Sequence, residues 1–197
     1  MKRTILLFIV LGFISYQSRA QINEGRIQAG GSISAGSLKS EPPFQSDFKN
    51  TNVYISPSIG RFYKTNKLAG VFLSFGYNEA SNQSYKMINR TYGGGVFFRQ
   101  YQPVLNKLYI YLHESAEYNY LSGSNDTQRS HGYNIGASLQ AGMAYDISKK
   151  MQLELSLNRL VSASYQNSTV ARGYNISTSL EKDVFSNIGF GFRYFLI

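Results

Sequence analysis

Residues 187–197 read N-I-G-F-G-F-R-Y-F-L-I. In a strand successive side chains point to opposite faces, so Ile188, Phe190, Phe192, Tyr194 and Leu196 share one face, and Asn187, Gly189, Gly191 and Arg193 share the other. A strand this apolar on one side is an aggregation hazard in water. It fits a wall with hydrocarbon outside and a polar interior within.

The same alternation recurs upstream. Strands are expected over 26–38, 52–63, 68–77, 90–101, 107–120, 133–146 and 151–165, and the closing segment makes an eighth. In strand two, Val53, Ile55, Pro57, Ile59 and Tyr63 oppose Ser56, Ser58 and Gly60. In strand six, Tyr133, Ile135, Ala137, Leu139, Ala141, Met143 and Tyr145 oppose Asn134, Gly136, Ser138, Gln140, Gly142 and Asp146. The connections alternate between short (64–67, 102–106, 148–150) and long and polar (39–50, 78–89, 121–130, 166–183). In the last of these, Tyr174, Ile176, Thr178 and Leu180 still alternate, which extends strand eight. Glu114 stands among apolar neighbours, and a β-bulge beside it is expected to turn it inward. Gly93, Gly94 and Gly95 precede no helix and read as sites of strand bending and close packing.

The chain opens with Lys2 and Arg3, runs apolar from Ile5 to Ile14 and reaches Ser18-Arg19-Ala20. This is the three-part form of a secretory signal peptide, so residues 1–20 are expected to be removed and 21–197 to form one domain. Beyond the leader, no apolar run approaches the roughly 18 residues of a spanning helix, which excludes a helical inner-membrane protein and leaves a barrel as the form that could span. The chain has 20 basic and 11 acidic residues; without Lys2, Arg3 and Arg19 the balance is about +6. Spread along strands rather than clustered, these charges suit lipid phosphate and not nucleic acid. With no Cys and two His, neither a disulfide framework nor a metal cluster is expected, and no cofactor is implied.

Tyrosines mark both ends of the apolar faces. Tyr77, Tyr92, Tyr118, Tyr133 and Tyr165 border long connections, while Tyr63, Tyr145 and Tyr194 border short turns or the C-terminal end. Two aromatic girdles at the membrane interfaces follow from that arrangement. The rhythm over 26–197, together with F-F-R-Q-Y at 97–101 and G-F-G-F-R-Y at 189–194, resembles the small eight-stranded bacterial outer-membrane β-barrels of the OmpA and OmpX type, often grouped as a porin family. The resemblance implies an all-β, antiparallel, up-and-down transmembrane barrel with short periplasmic turns and longer extracellular loops. It also implies a C-terminal strand, Ile188 to Leu196, recognised by the barrel assembly machinery. The peptidoglycan-binding domain of some relatives is not expected, and the absence of Trp leaves the girdles to Tyr.

Eight strands enclose an interior that side chains nearly fill. The inward set includes Arg99, Glu117, Gln140, Asp146, Glu154 and Arg193. Charges this close must pair, and Glu154 with Arg193, at similar heights on neighbouring strands, is the expected pair. A plugged polar core ranks above a narrow, charged pore. His113, Ser115 and Glu117 share a strand face, and H-x-S is similar to outer-membrane lipid A deacylases. However, alternate residues stand roughly 7 Å apart, too far for His to activate Ser, so no enzyme is expected. Arg159 falls on the apolar face of strand seven, where two placements stay open: reaching lipopolysaccharide phosphate from the outer interface, or turning inward at a bulge. The expected role is structural or surface-interacting, through four outer loops and extracellular protein or matrix ligands. A channel for ions or small solutes is the runner-up, with a lipid-modifying enzyme or a secreted lipocalin-like barrel behind it.

Overall fold

The computed structural model describes residues 21–40, 48–82, 85–125, 128–169, 172–178 and 189–196, without the side chains of 38–40, 158 and 159. The expected leader and Ile188 lie outside the described residues. Among the described residues there are nine antiparallel strands: β1 (Ile27–Ser40), β2 (Phe48–Lys64), β3 (Lys67–Asn82), β4 (Tyr85–Leu105), β5 (Leu108–Asn125), β6 (Arg129–Asp146), β7 (Met151–Ser168), β8 (Arg172–Thr178) and β9 (Gly189–Leu196). Each of β1 to β7 pairs with the next in sequence. The circuit then closes, because β9 pairs with β7 on one side and β1 on the other.

Nine strands therefore fill eight positions, which corrects the expected count. β7 is 18 residues long, enough to pair β9 along Met151–Ser156 and β8 along Val161–Asn167. The expected eighth strand with its upstream extension is two strands in succession along one neighbour.

The expected long loops are also corrected. Most of 78–89 is ladder, with Asn78 opposite Asn89 and Asn82 opposite Tyr85. β5 continues to Asn125 against β4 and to Ser124 against β6, and β1 and β2 pair out to Ser40 and Phe48. Backbone pairing needs no apolar face once the strands leave the region where one is required, and polar cross-strand pairs support it. One such pair is Asn78 Nδ2 donating to Asn50 Oδ1 at 2.8 Å. At the other end the turns are tight, and Asn66 takes a left-handed φ of 60° between β2 and β3, a conformation Asn tolerates better than most residues.

No bulge forms at Glu114. Its pairing to Phe98 and Leu139 is uninterrupted, and its side chain stays exposed on the outer face. An irregularity does fall on β7 at Arg159, where a bulge was one of the two open placements: Leu139 faces Val161, Gln140 faces Arg159 and Gly142 faces Ser156. Two extra residues there preserve parity, so Leu155 and Val161 stay on one face. Gln140 Nε2 donates to the Leu157 carbonyl at 2.8 Å, replacing a ladder bond that the bulge breaks. The side chain of Arg159 lies outside the described residues.

Candidate functional site

Parity divides the closed sheet into two unlike surfaces. The outer face carries Ile33, Val71, Leu73, Val96, Phe98, Ile110, Ile135 and Leu153, each about half exposed, and Phe190 at 64%. The inner face carries Gln28, Ser74, Arg99, Asn119, Gln152, Glu154 and Arg193, all buried. A water-soluble fold buries its large apolar side chains and exposes its charges. Here the distribution is reversed.

The interior itself has two levels. At the short-turn end it is filled. Phe62, Leu68, Tyr101, Phe195 and Ile22 are at most 2% exposed, and their rings meet at 5.8 Å (Phe62 and Tyr101) and 6.2 Å (Phe62 and Phe195). Ile22 precedes β1 and reaches this cluster because residues 21–26 fold across the opening. Ile22 N donates to Asn66 Oδ1 at 2.8 Å, Asn66 N donates to the Ile22 carbonyl at 3.1 Å, and Gly25 N donates to the Phe62 carbonyl at 2.8 Å. Gly25 makes that crossing at a φ of 87°, a conformation that suits glycine. Arg26 then lies 4.2 Å from the Phe195 ring centroid and donates to the Lys149 carbonyl at 2.7 Å. Sequence parity puts Phe62, Leu68 and Phe195 on the inner face, but a rule of small or polar residues inside passes over them.

Above this floor sits a charged cluster. Glu154 Oε2 accepts from Arg193 Nε at 2.8 Å, and Glu154 Oε1 accepts from Arg99 Nη1 and from the Tyr101 hydroxyl at 3.1 Å. Arg99 also donates from Nε to His113 Nδ1 at 3.2 Å and lies 4.4 Å from the Tyr111 ring centroid. Arg193 Nη1 donates to Ser58 Oγ. A polar chain runs downward from here: Gln28 donates to Gln152 at 3.2 Å, Gln152 to Asp146 at 2.8 Å, and Tyr109 to Asp146 at 3.2 Å. Of the six residues expected in the interior, the structure joins Arg99, Glu154 and Arg193 directly. Asp146 sits below them, and Gln140 and Glu117 line the wall. Tyr101 and Gln28, which complete the cluster, carried no sequence signal beyond parity.

Toward the long-hairpin end the interior opens into a cavity of about 680 Å³, its walls formed by Ser32, Ser56, Ser115, Ser138, Ser156 and Tyr54 among others. We call this the cup. Arg99, Glu154 and Arg193 form its base. Among the described residues the interior is thus filled at one end only, which corrects the expectation of side chains filling it throughout. Ser115 Oγ lies 2.9 Å from Ser138 Oγ.

The outer tyrosines fall into two levels. Rings of Tyr118 and Tyr133 stack at 6.0 Å, Tyr133 and Tyr165 meet at 6.3 Å, and Tyr165 and Tyr174 at 4.9 Å. Tyr92 is exposed nearby, facing Tyr120 across the strands. Tyr77 donates to Glu79 at 2.6 Å, and Lys86 lies 3.0 Å from the same carboxylate. That hydrogen bond and that ammonium hold Glu79 below the ordinary carboxylate range. At the opposite end Tyr63, Tyr145 and Tyr194 are exposed, with Tyr194 opposite Ala29 and Met151. Phe190, Phe192, Tyr194 and Leu196 all stand exposed on the outer face of β9.

No protein-family model and no curated protein matches this chain. Several solved structures are similar to it, including these two. A chain from the de novo design of transmembrane beta-barrels has 16% identity over 89% of this chain and 99% of its own length, with a TM-score of 0.32. A major outer membrane protein from Thermus thermophilus has 12% identity over 87% of this chain and 99% of its own, with a TM-score of 0.43. Similarity at this level decides neither fold nor function.

Proposed function

We propose that the chain is an integral outer-membrane β-barrel of a Gram-negative-type bacterium, of the OmpA and OmpX kind, exported behind a cleaved signal peptide. Its role is structural or surface-interacting rather than enzymatic. One observation carries this reading: the closed sheet exposes a belt of half-exposed Ile, Val, Leu and Phe side chains and buries two arginines and a glutamate. Water penalises that arrangement, whereas a bilayer around a polar interior rewards it. Tyrosines at both borders of the belt suit the two interfaces. The partners are then outer-membrane lipid and lipopolysaccharide around the belt, assembly machinery engaging β9 during insertion, and extracellular protein or matrix ligands at the four long hairpins.

The floor favours a sealed barrel over a narrow pore. A conducting path would have to pass Ile22, Phe62, Leu68 and Phe195, each at most 2% exposed, and an apolar constriction of that kind blocks ions by excluding water. The test is refolding of residues 21–197 into planar bilayers. The expected result is insertion without conductance steps, with leak or loss of stability in an Arg193→Ala variant. Defined steps from the wild type would establish the pore, and a chain soluble and monomeric without detergent would overturn the membrane reading.

A further inference from the structure

We propose that the cup binds a small hydroxylated anion of the sugar phosphate or acidic sugar class, with Arg99 and Arg193 holding the negative group and the serine walls holding the hydroxyls. This goes beyond the membrane role and does not depend on it.

The base of the cup has more cation than anion. Two guanidiniums, 6% and 7% exposed, share the single carboxylate of Glu154. Both Glu154 oxygens are committed, Oε1 to Arg99 and Tyr101 and Oε2 to Arg193. Arg99 uses Nε toward His113 and Nη1 toward Tyr101 and Glu154. Arg193 uses Nε toward Glu154 and Nη1 toward Ser58. Among the described residues, the Nη2 group of each finds no protein acceptor. Yet no buried side-chain nitrogen or oxygen there lacks a partner. Both statements hold together only if the Nη2 groups reach solvent, and the cup is the space that both side chains line.

An arginine with donors to spare at the end of a narrow polar cavity is suited to a carboxylate or phosphate. The planar fork matches those oxygens, and charge-assisted bonds strengthen where water is restricted. Ser32, Ser34, Ser56, Ser115, Ser138 and Ser156 line the walls above, offering donors and acceptors suited to a polyol rather than to an apolar body. Glu117 is the acidic group on this wall. It lies four residues along β5 from His113, roughly 13 Å, and so stands away from the arginines of the base. Asp146 is below the base and already accepts from Tyr109 and Gln152. A cavity of about 680 Å³ falls within the usual range for a small-molecule site.

The test is calorimetric titration of the chain folded in phosphate-free detergent micelles, with glucose 6-phosphate, glucuronate, glucose, glucosamine and inorganic phosphate as probes. The expected order places glucose 6-phosphate at least about tenfold tighter than glucose and tighter than inorganic phosphate, with glucosamine weakest and added salt weakening the anions. Ser138→Phe fills the cup from its wall and leaves the base intact, so binding is lost while circular dichroism is unchanged. Arg193→Lys keeps the charge and loses the fork, and weakens the anionic sugars about tenfold or more. A lipid-borne phosphosugar in mixed micelles that displaces glucose 6-phosphate identifies a headgroup as an occupant, and one that fails to displace it leaves the free ligand. Equal affinity for glucose and glucose 6-phosphate, no binding at all, or undiminished binding in Ser138→Phe overturns the proposal.

Discussion

The two ends of the interior are built on opposite principles. At the short-turn end, aromatic rings and a folded-in N-terminal segment leave no room, and a three-way ion cluster above them commits both oxygens of Glu154. At the long-hairpin end, serines and glycines line a cavity of about 680 Å³, and the strands run on past the apolar belt. The difference separates two tasks that a uniformly filled barrel would merge. Stability is concentrated where the ring closes, and the other half is left free to meet what lies outside.

That separation can be broken most sharply at Glu154. Its removal strands two buried guanidiniums, so Glu154→Ala is expected to lower unfolding stability by about 3–5 kcal/mol. Ser138→Ala in the cup wall is expected to cost no more than about 0.5 kcal/mol. Denaturant titration of both variants in the same detergent measures the contrast, and equal losses would show that the two halves share the load. The outer face gives an effect of intermediate size and opposite sign. Glu114 places a carboxylate between Leu112 and Ala116 in the middle of the apolar belt. In a bilayer Glu114→Leu should therefore stabilise by about 1–2 kcal/mol, an increase that refolding in lipid vesicles detects. No gain would place that part of β5 outside the hydrocarbon.

The smallest effect belongs to the long hairpins. The Glu79 carboxyl is held low by Tyr77 and then Lys86, so its contribution is complete above the ordinary carboxylate pKa and fades as pH falls through the lowered value. The group is exposed, and the expected outcome on acidification is lower amide protection, relative to intrinsic exchange at the same pH, in the described residues near the end of the β3–β4 hairpin, with no shift in global unfolding. A global shift would mean that the hairpins are part of the stabilising core.

Much of the wall was legible because a period of two survives almost any error in strand ends. The assignment of Ile55, Val71, Phe98, Ile135 and Phe190 to one face needed only alternation. The Glu154 and Arg193 pairing was legible for a related reason, since the two strands are neighbours and the residues sit at one height. Arg99 was not assigned to the same carboxylate. It reaches across the interior from β4 to β7, and only the width of a closed ring brings those strands together. The long hairpins were misread because polar composition was equated with irregular backbone. The bulge expected at Glu114 was misplaced because that lone acid among apolar residues looked like the anomaly to be relieved. The extra residues sit in β7 beside Arg159, where a bulge was one of the two placements left open. Phe62, Leu68 and Phe195 went unremarked for want of any sequence cue that one end of a polar interior is to be stopped with aromatic rings.

The stopper has a consequence for how the molecule is completed. Ile22 comes from before the first strand and Phe195 from the last one, yet both pack in one cluster with Phe62 and Leu68. Ile22, Phe62 and Leu68 lie on one margin of the sheet, but the packing of Phe195 against Phe62 cannot form while the sheet is an open ribbon, because β9 and β1 are then at opposite margins. The cluster is completed only when β9 meets β1, so the closing seam gains the packing of Phe195 in the same step as its backbone hydrogen bonds. Such a latch makes the finished ring hard to unzip from either margin, and leaves a nearly finished one with its most aggregation-prone side chains still exposed.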